Sequence, residues 1–150
     1  MDQIDKKILS ELQENAKQNT KEIANKIGLS VTPTYERIKR LEQKKVIKSY
    51  VSLLDREKIG KQIIAYCQVT LLQHQQQLMR DFARKISLFK AVMECHHVSG
   101  NFDFLLKIVA DDINQFYEFI NDELSVVEGI STIHTSFVMH SFKDSTVFEL

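Results

Sequence analysis

Residues 19–41 leave this chain little choice of local structure. Asn19 followed by Glu22 reads as a capping box, with Asn accepting from orphan backbone N–H groups and Glu reaching back. Ile23, Ala24 and Ile27 then mark a short helix, and Gly28 stands where a left-handed cap is expected. Thr32-Pro33 opens the next helix, with proline at the first helical position, where its missing N–H costs nothing. Tyr35, Ile38 and Leu41 supply that helix's buried stripe, leaving Thr34, Arg37, Lys39, Arg40 and Lys44 outward. Ahead of the pair, Ile4, Ile8, Leu9 and Leu12 recur at helical spacing over residues 2–15, with Asp2 as N-cap. Two helices joined by a short glycine turn match a helix-turn-helix, and small Ala24 lets them cross closely. In that motif the second helix enters the major groove of duplex DNA. Thr32, Thr34 and Arg37 fall among its early residues, and Arg37 or Arg40 suits guanine or phosphate.

The charge pattern agrees. The whole chain carries 20 Lys/Arg and 20 Asp/Glu, but residues 1–60 hold 13 against 9, a net +4, and residues 61–150 hold 7 against 11, a net −4. A basic first part and an acidic second part suggest two jobs. The 150 residues, 43% hydrophobic and 27% charged, suit one domain or two small ones and exclude disorder of the whole chain. No apolar run approaches the ~20 residues that span a bilayer. Met1-Asp2-Gln3-Ile4-Asp5 lacks the start of a signal peptide. The expectation is a cytoplasmic protein without a membrane partner, in which Cys67 and Cys95 form no structural disulfide.

The second part alternates strand and helix. Residues 47–54 read as an extended connector. Residues 63–72 form a strand with Ala65, Cys67, Val69 and Leu71 on one face. Leu78, Met79, Phe82 and Ile86 mark a helix, and residues 92–98 a second strand. Gly100-Asn101 signals a two-residue hairpin into a third strand over 102–109. Ile113, Phe116, Tyr117, Ile120 and Leu124 mark another helix, and Gly129 turns into a last strand over 130–142. The order βαββαβ is the ferredoxin-like split arrangement. The fold class is therefore α+β, a helix-turn-helix (winged-helix-like) domain followed by a ferredoxin-like sandwich. Domain bounds fall at 1–48, a connecting strand or hinge at 49–62, and 63–150. Helices cover one sheet face, so a second copy is the economical cover for the other, making a homodimer or larger assembly.

Several stretches carry a more specific likeness. Ile4-Asp5-Lys6-Lys7-Ile8-Leu9, Ile27-Gly28-Leu29-Ser30 with Pro33, Arg37-Ile38-Lys39-Arg40-Leu41-Glu42 and Val46-Ile47 are four of them. Glu94-Cys95, Ser99-Gly100-Asn101-Phe102-Asp103-Phe104-Leu105-Leu106, Gly129 and Thr135 through Met139 complete the series. In order and spacing they resemble the Lrp/AsnC family of transcription regulators over nearly the whole chain. The resemblance implies a DNA-binding helix-turn-helix and a C-terminal domain (the RAM domain) that dimerises through its sheet. It also implies assembly of dimers into octamers or other multimers, and an amino-acid effector bound between dimers that shifts assembly and DNA affinity. Carried over, the DNA-binding positions are Ser30, Thr32, Thr34, Tyr35, Arg37, Lys39 and Arg40. The effector-binding positions are Ser99, Gly100, Asn101 and Asp103, with Thr135 from the last strand. The chemistry fits: a glycine turn exposes N–H donors for a carboxylate, and Asp103 offers an acceptor for an ammonium; the alternative is a plain hairpin turn that Asp103 caps. Two positions depart from the pattern. Ile133 replaces a Thr, making the pocket less polar. Lys45 replaces the Gly after the recognition helix, at a modest backbone cost in a left-handed cap.

Other chemistries are weaker. Cys95-His96-His97 invites a metal, but adjacent strand residues point to opposite faces, and no metal is expected. Ser99, His97 and Asp103 could be drawn as a triad, but no nucleophile elbow marks one. Glycine loops for phosphate are lacking, so neither an enzyme nor a cofactor is expected. The rival from another class is an architectural protein that wraps DNA as a multimer with little dependence on a small molecule.

Overall fold

The structure is a computed structural model that describes all residues 1–150. Two compact units emerge, one formed by Met1–Leu53 with Phe142–Leu150 and the other by Leu54–Ser141.

The first unit contains α1 (Gln3–Glu14), α2 (Thr20–Ile27) and α3 (Val31–Gln43). Asp2 caps α1 and Asn19 caps α2, each in a reciprocal capping box with Asp5 and Glu22 respectively. Gly28 ends α2 at φ 72°, in the left-handed region that a side chain disfavours. Helix α3 begins two residues earlier than Thr32-Pro33 suggested, on the N-cap Ser30. Pro33 is its third residue, still within the turn whose N–H groups have no intrahelical partner. Lys45 takes φ 57° as the left-handed residue after α3. Its N–H donates to Glu42 O and the Val46 N–H to Leu41 O, which is the Schellman pattern. Ile8, Ile23, Ile38 and Leu41 form the small core.

The stripe of α3 is rotated from the one expected. Thr34 is fully buried beside Ile38 and Leu41, whereas Tyr35 is 51% exposed. Residues 47–62 form no ladder strand; the expected connecting strand is instead coil that runs into a turn over residues 56–60. The tail from Phe142 belongs with the first unit rather than with the sheet. There the Phe148 N–H donates to Gln13 Oε1 at 2.7 Å, and Gln13 Nε2 donates to Phe148 O at 3.1 Å.

The second unit holds β1 (Ile63–Leu71), α4 (Gln76–Ile86), β2 (Val92–His97), β3 (Phe104–Ala110), α5 (Ile113–Glu118) and β4 (Ile130–Phe137). All strand pairs are antiparallel, in the order β2-β3-β1-β4 expected of the ferredoxin-like arrangement. Ala65, Cys67, Val69 and Leu71 of β1 and Phe104, Leu106, Ile108 and Ala110 of β3 bury one face against Phe82, Ile86, Phe116, Phe119 and Leu124. The alternate residues Ile64, Tyr66, Gln68, Leu105, Lys107 and Val109 lie on the other face, only half-buried.

Three details depart from expectation. Helix α5 passes into a π-helical turn, Phe119–Leu124, with the Ser125 N–H donating to Ile120 O. A five-residue step puts Phe119 and Leu124 together in the core and leaves Ile113 and Tyr117 exposed. Strand β4 ends at Phe137, five residues short of the expected end. Gly100-Asn101 is not a two-residue hairpin. The turn runs over residues 98–103 and is closed by the Val98 N–H donating to Asp103 O at 3.0 Å.

Candidate nucleic-acid interface and ligand loop

Helix α3 carries the positions expected to read DNA, and the structure sorts them into three groups. Thr34 is removed from the set. It is fully buried, and its hydroxyl donates to Ser30 O at 2.9 Å, so it cannot reach a base. Ser30, Thr32, Tyr35 and Lys39 are exposed. Lys39 Nζ sits 3.1 Å from Glu42 Oε2 and 5.7 Å from the Tyr35 ring centre, so its ammonium lies on the outer surface of the helix.

Arg37 and Arg40 form the third group, and they point back toward α1. Arg37 Nη1 donates to Asp2 Oδ2 at 2.7 Å and to Asp5 Oδ1 at 2.8 Å. Arg40 Nη2 donates to both Asp5 oxygens at 3.0 Å. Asp5 is only 3% exposed, on the apolar side of α1 beside buried Ile8. Burial alone would raise its pKa. The Arg37 hydrogen bond, the Asp2 backbone N–H and the Arg40 charge outweigh burial and hold it below the usual carboxylate range. A buried carboxylate requires such compensation, and two guanidinium groups one helical turn apart supply it. Sequence reasoning missed this role of Asp5. The available signal was an acid at a core-facing position of α1, opposite a helix with arginines at i and i+3.

The candidate ligand positions fall into two places. Ser99, Gly100, Asn101 and Asp103 share the β2–β3 loop, with Ser99, Gly100 and Asn101 exposed and Gly100 at φ 133°. Thr135 lies on β4, paired with Cys67 across β1, and its hydroxyl is 3.3 Å from Cys67 Sγ. Strand β1 separates β4 from β3, so within one chain Thr135 and the loop do not form a single cluster. Asp103 is already committed. Its Oδ2 accepts the Leu71 N–H at 2.7 Å, and its Oδ1 lies 3.1 Å from His74 Nε2. It braces the end of β1, and its imidazole neighbour is His74 rather than the His97 of the triad reading. His96 and His97 lie on opposite faces, His96 beside Glu94 at 3.2 Å and His97 against the Phe104 ring. No three His, Cys, Asp or Glu side chains come together in a group that could hold a metal ion. No helix is long and apolar enough to cross a membrane.

Residues 1–48 match a winged helix-turn-helix DNA-binding domain, and residues 64–148 match the Lrp/AsnC ligand binding domain. The chain belongs to the Lrp/AsnC family. It is 35% identical over 150 residues to the leucine-responsive regulatory protein of Haemophilus influenzae, covering 100% of this chain and 90% of the relative. The corresponding protein of Rhizobium meliloti is 33% identical over 150 residues, with 100% and 96% covered. Among solved structures, a transcriptional regulator from Neisseria meningitidis in complex with L-Met superposes at TM-score 0.94 and 30% identity, covering 99% of this chain and 96% of the other. An AsnC family transcriptional regulator from Agrobacterium tumefaciens does so at 0.94 and 32%, with 99% and 97% covered. This Lrp/AsnC chain is thus a DNA-binding transcription regulator, not an enzyme, with a ligand-binding α+β domain after its helix-turn-helix.

Proposed function

We propose that this Lrp/AsnC protein senses an amino acid and converts its binding into altered affinity for duplex DNA, in the cytoplasm. The observation that carries the reading is the exposed β2–β3 loop with Gly100 at φ 133°, in a fold that matches an L-Met complex at TM-score 0.94. Loop N–H groups and the Ser99 and Asn101 side chains suit the carboxylate and ammonium of a free amino acid. Asp103 shapes the loop and adds negative potential beside it. Thr135 contributes from β4, and the distance between the two places favours a site completed by another copy. A second copy covers the half-buried sheet face of Tyr66, Gln68, Leu105 and Val109 as a homodimer, and dimers join into an octamer or other multimer. Such an assembly presents several copies of α3 to one duplex, so a ligand that prefers one assembly changes avidity without touching DNA.

A thermal-shift series against the twenty amino acids tests this. A ligand at a hundred times its dissociation constant stabilises the folded state by about 2.7 kcal/mol. At least one amino acid should raise the melting temperature, and Ser99→Ala with Asn101→Ala should remove the shift while leaving the unliganded melt unchanged. Asp103→Ala should lower the melt before any ligand is added, because the Leu71 N–H loses its acceptor, at a cost of about 1–3 kcal/mol. No shift with any amino acid, or a shift that survives the double substitution, would contradict the proposal.

A further inference from the structure

Helix α3 carries an exposed acid, Glu36, among its basic residues. At 100° per residue, Glu36 lies about 160° around the helix from the buried Ile38 and roughly opposite Thr34 and Leu41. The outermost stripe of α3 is therefore Thr32, Glu36, Lys39 and Gln43, at spacings of four, three and four, and all four are exposed. Arg37 and Arg40, the guanidinium groups nearest in sequence, are turned to Asp2 and Asp5. Lys39 is on Glu42. Glu36 has no hydrogen bond or ion pair in the structure.

An unpaired carboxylate at the centre of a surface that meets a polyanion weakens binding to every sequence alike. It is compensated only where it accepts a hydrogen bond that some sequences offer and others do not. In the major groove the base-edge donors are cytosine N4 and adenine N6, and adenine places the N7 acceptor beside its donor, which repels a carboxylate. Glu36 sits in the second turn of α3, in the part of a recognition helix that meets base edges.

We infer that Glu36 is a specificity-determining residue that accepts from cytosine N4 in the major groove, so that this regulator selects a C·G pair at one position of each half-site. The inference rests on α3 being the DNA-reading helix. Lys39, three residues on, lies on the same stripe and suits a backbone phosphate beside that pair.

Selection of the intact chain on a randomised duplex library at about 150 mM salt tests it, with wild type, Glu36→Gln and Glu36→Ala compared. The wild type should enrich a motif with a fixed C. In Glu36→Gln the preference at that position should move to A, since glutamine bonds adenine N6 and N7 together, with every other position unchanged. Glu36→Ala should lose roughly tenfold discrimination at that position while binding unrelated duplex more tightly. A motif identical at every position in wild type and Glu36→Gln would overturn the role of Glu36 and leave α3 as the reading helix. Failure of the wild type to enrich any motif would overturn sequence-specific reading by α3 and the inference with it.

Discussion

Asp5→Ala should unfold the DNA-binding unit at a temperature about 10 °C lower than wild type, while the sheet domain keeps its own transition. The change leaves Arg37 and Arg40 without the carboxylate that joins them and removes half of the Asp2–Asp5 capping box. Removal of one partner from a fully buried pair costs about 3–5 kcal/mol. Here Arg40 is 48% exposed and can return to water, so about 2 kcal/mol is expected. Hydrogen exchange read segment by segment should show the loss in residues 3–43 and unchanged protection in β1 and β3. The same carboxylate sets a pH dependence. Its pKa is lowered on folding, so its stabilisation is complete above the ordinary carboxylate range and is lost as the pH falls through the folded-state value. The first unit should therefore lose stability below about pH 4, and Asp5→Ala should flatten that acid limb. A melt unchanged by Asp5→Ala would show that the ionic cluster contributes nothing.

Arg37→Glu combined with Arg40→Glu should abolish DNA binding for a structural reason. The two reversals face Asp2 and Asp5, so four acids would crowd one side of the α1–α3 contact in place of two ion-paired arms. The expected result is a first unit without a cooperative melt at neutral pH and no measurable affinity for duplex. The sheet domain should still melt as in wild type. Retention of a folded first unit with DNA binding lost would instead return both arginines to direct contact with DNA. A folded unit that still binds would remove them from both roles.

What was legible in this sequence was local. The Asn19–Glu22 box and Gly28 declare themselves because each acts on backbone groups within a few residues, whereas Lys45 was placed in a left-handed cap only through the family resemblance. The alternation of Ala65, Cys67, Val69 and Leu71 gave the inner face of β1 for the same reason. The misplaced features depend on partners distant in sequence. A helical repeat alone does not decide between Thr34 and Tyr35 as the inward neighbour of Ile38, and packing on α1 and α2 favoured the threonine, whose hydroxyl is satisfied by Ser30 O. Arg37 and Arg40 read as free cations because their basic charge is visible in the sequence and the buried Asp5 that engages them is not. Phe119 was hidden by the π turn, which breaks the 3.6-residue period at the point where it matters. Asp103 appeared free for a ligand because its acceptor role toward Leu71 is set only when β1 and β3 pair. The helix-turn-helix pattern pointed to α3 and the family resemblance to the β2–β3 loop as a candidate ligand site; the partners of Thr34, Arg37, Arg40 and Asp103 came only from the geometry.

The most direct test of α3 as the DNA-reading surface is the salt dependence of duplex binding by the intact chain, wild type against Lys39→Ala. Each phosphate neutralised contributes a slope of about −0.9 to the plot of log affinity against log salt. Lys39 is exposed, and its contacts with Glu42 and the Tyr35 ring lie on the surface, so its loss should leave the melt unchanged and make the slope shallower by about one unit. An identical slope and affinity in the variant, with a wild type that binds duplex, would place the DNA-reading surface elsewhere than on the outer stripe of α3.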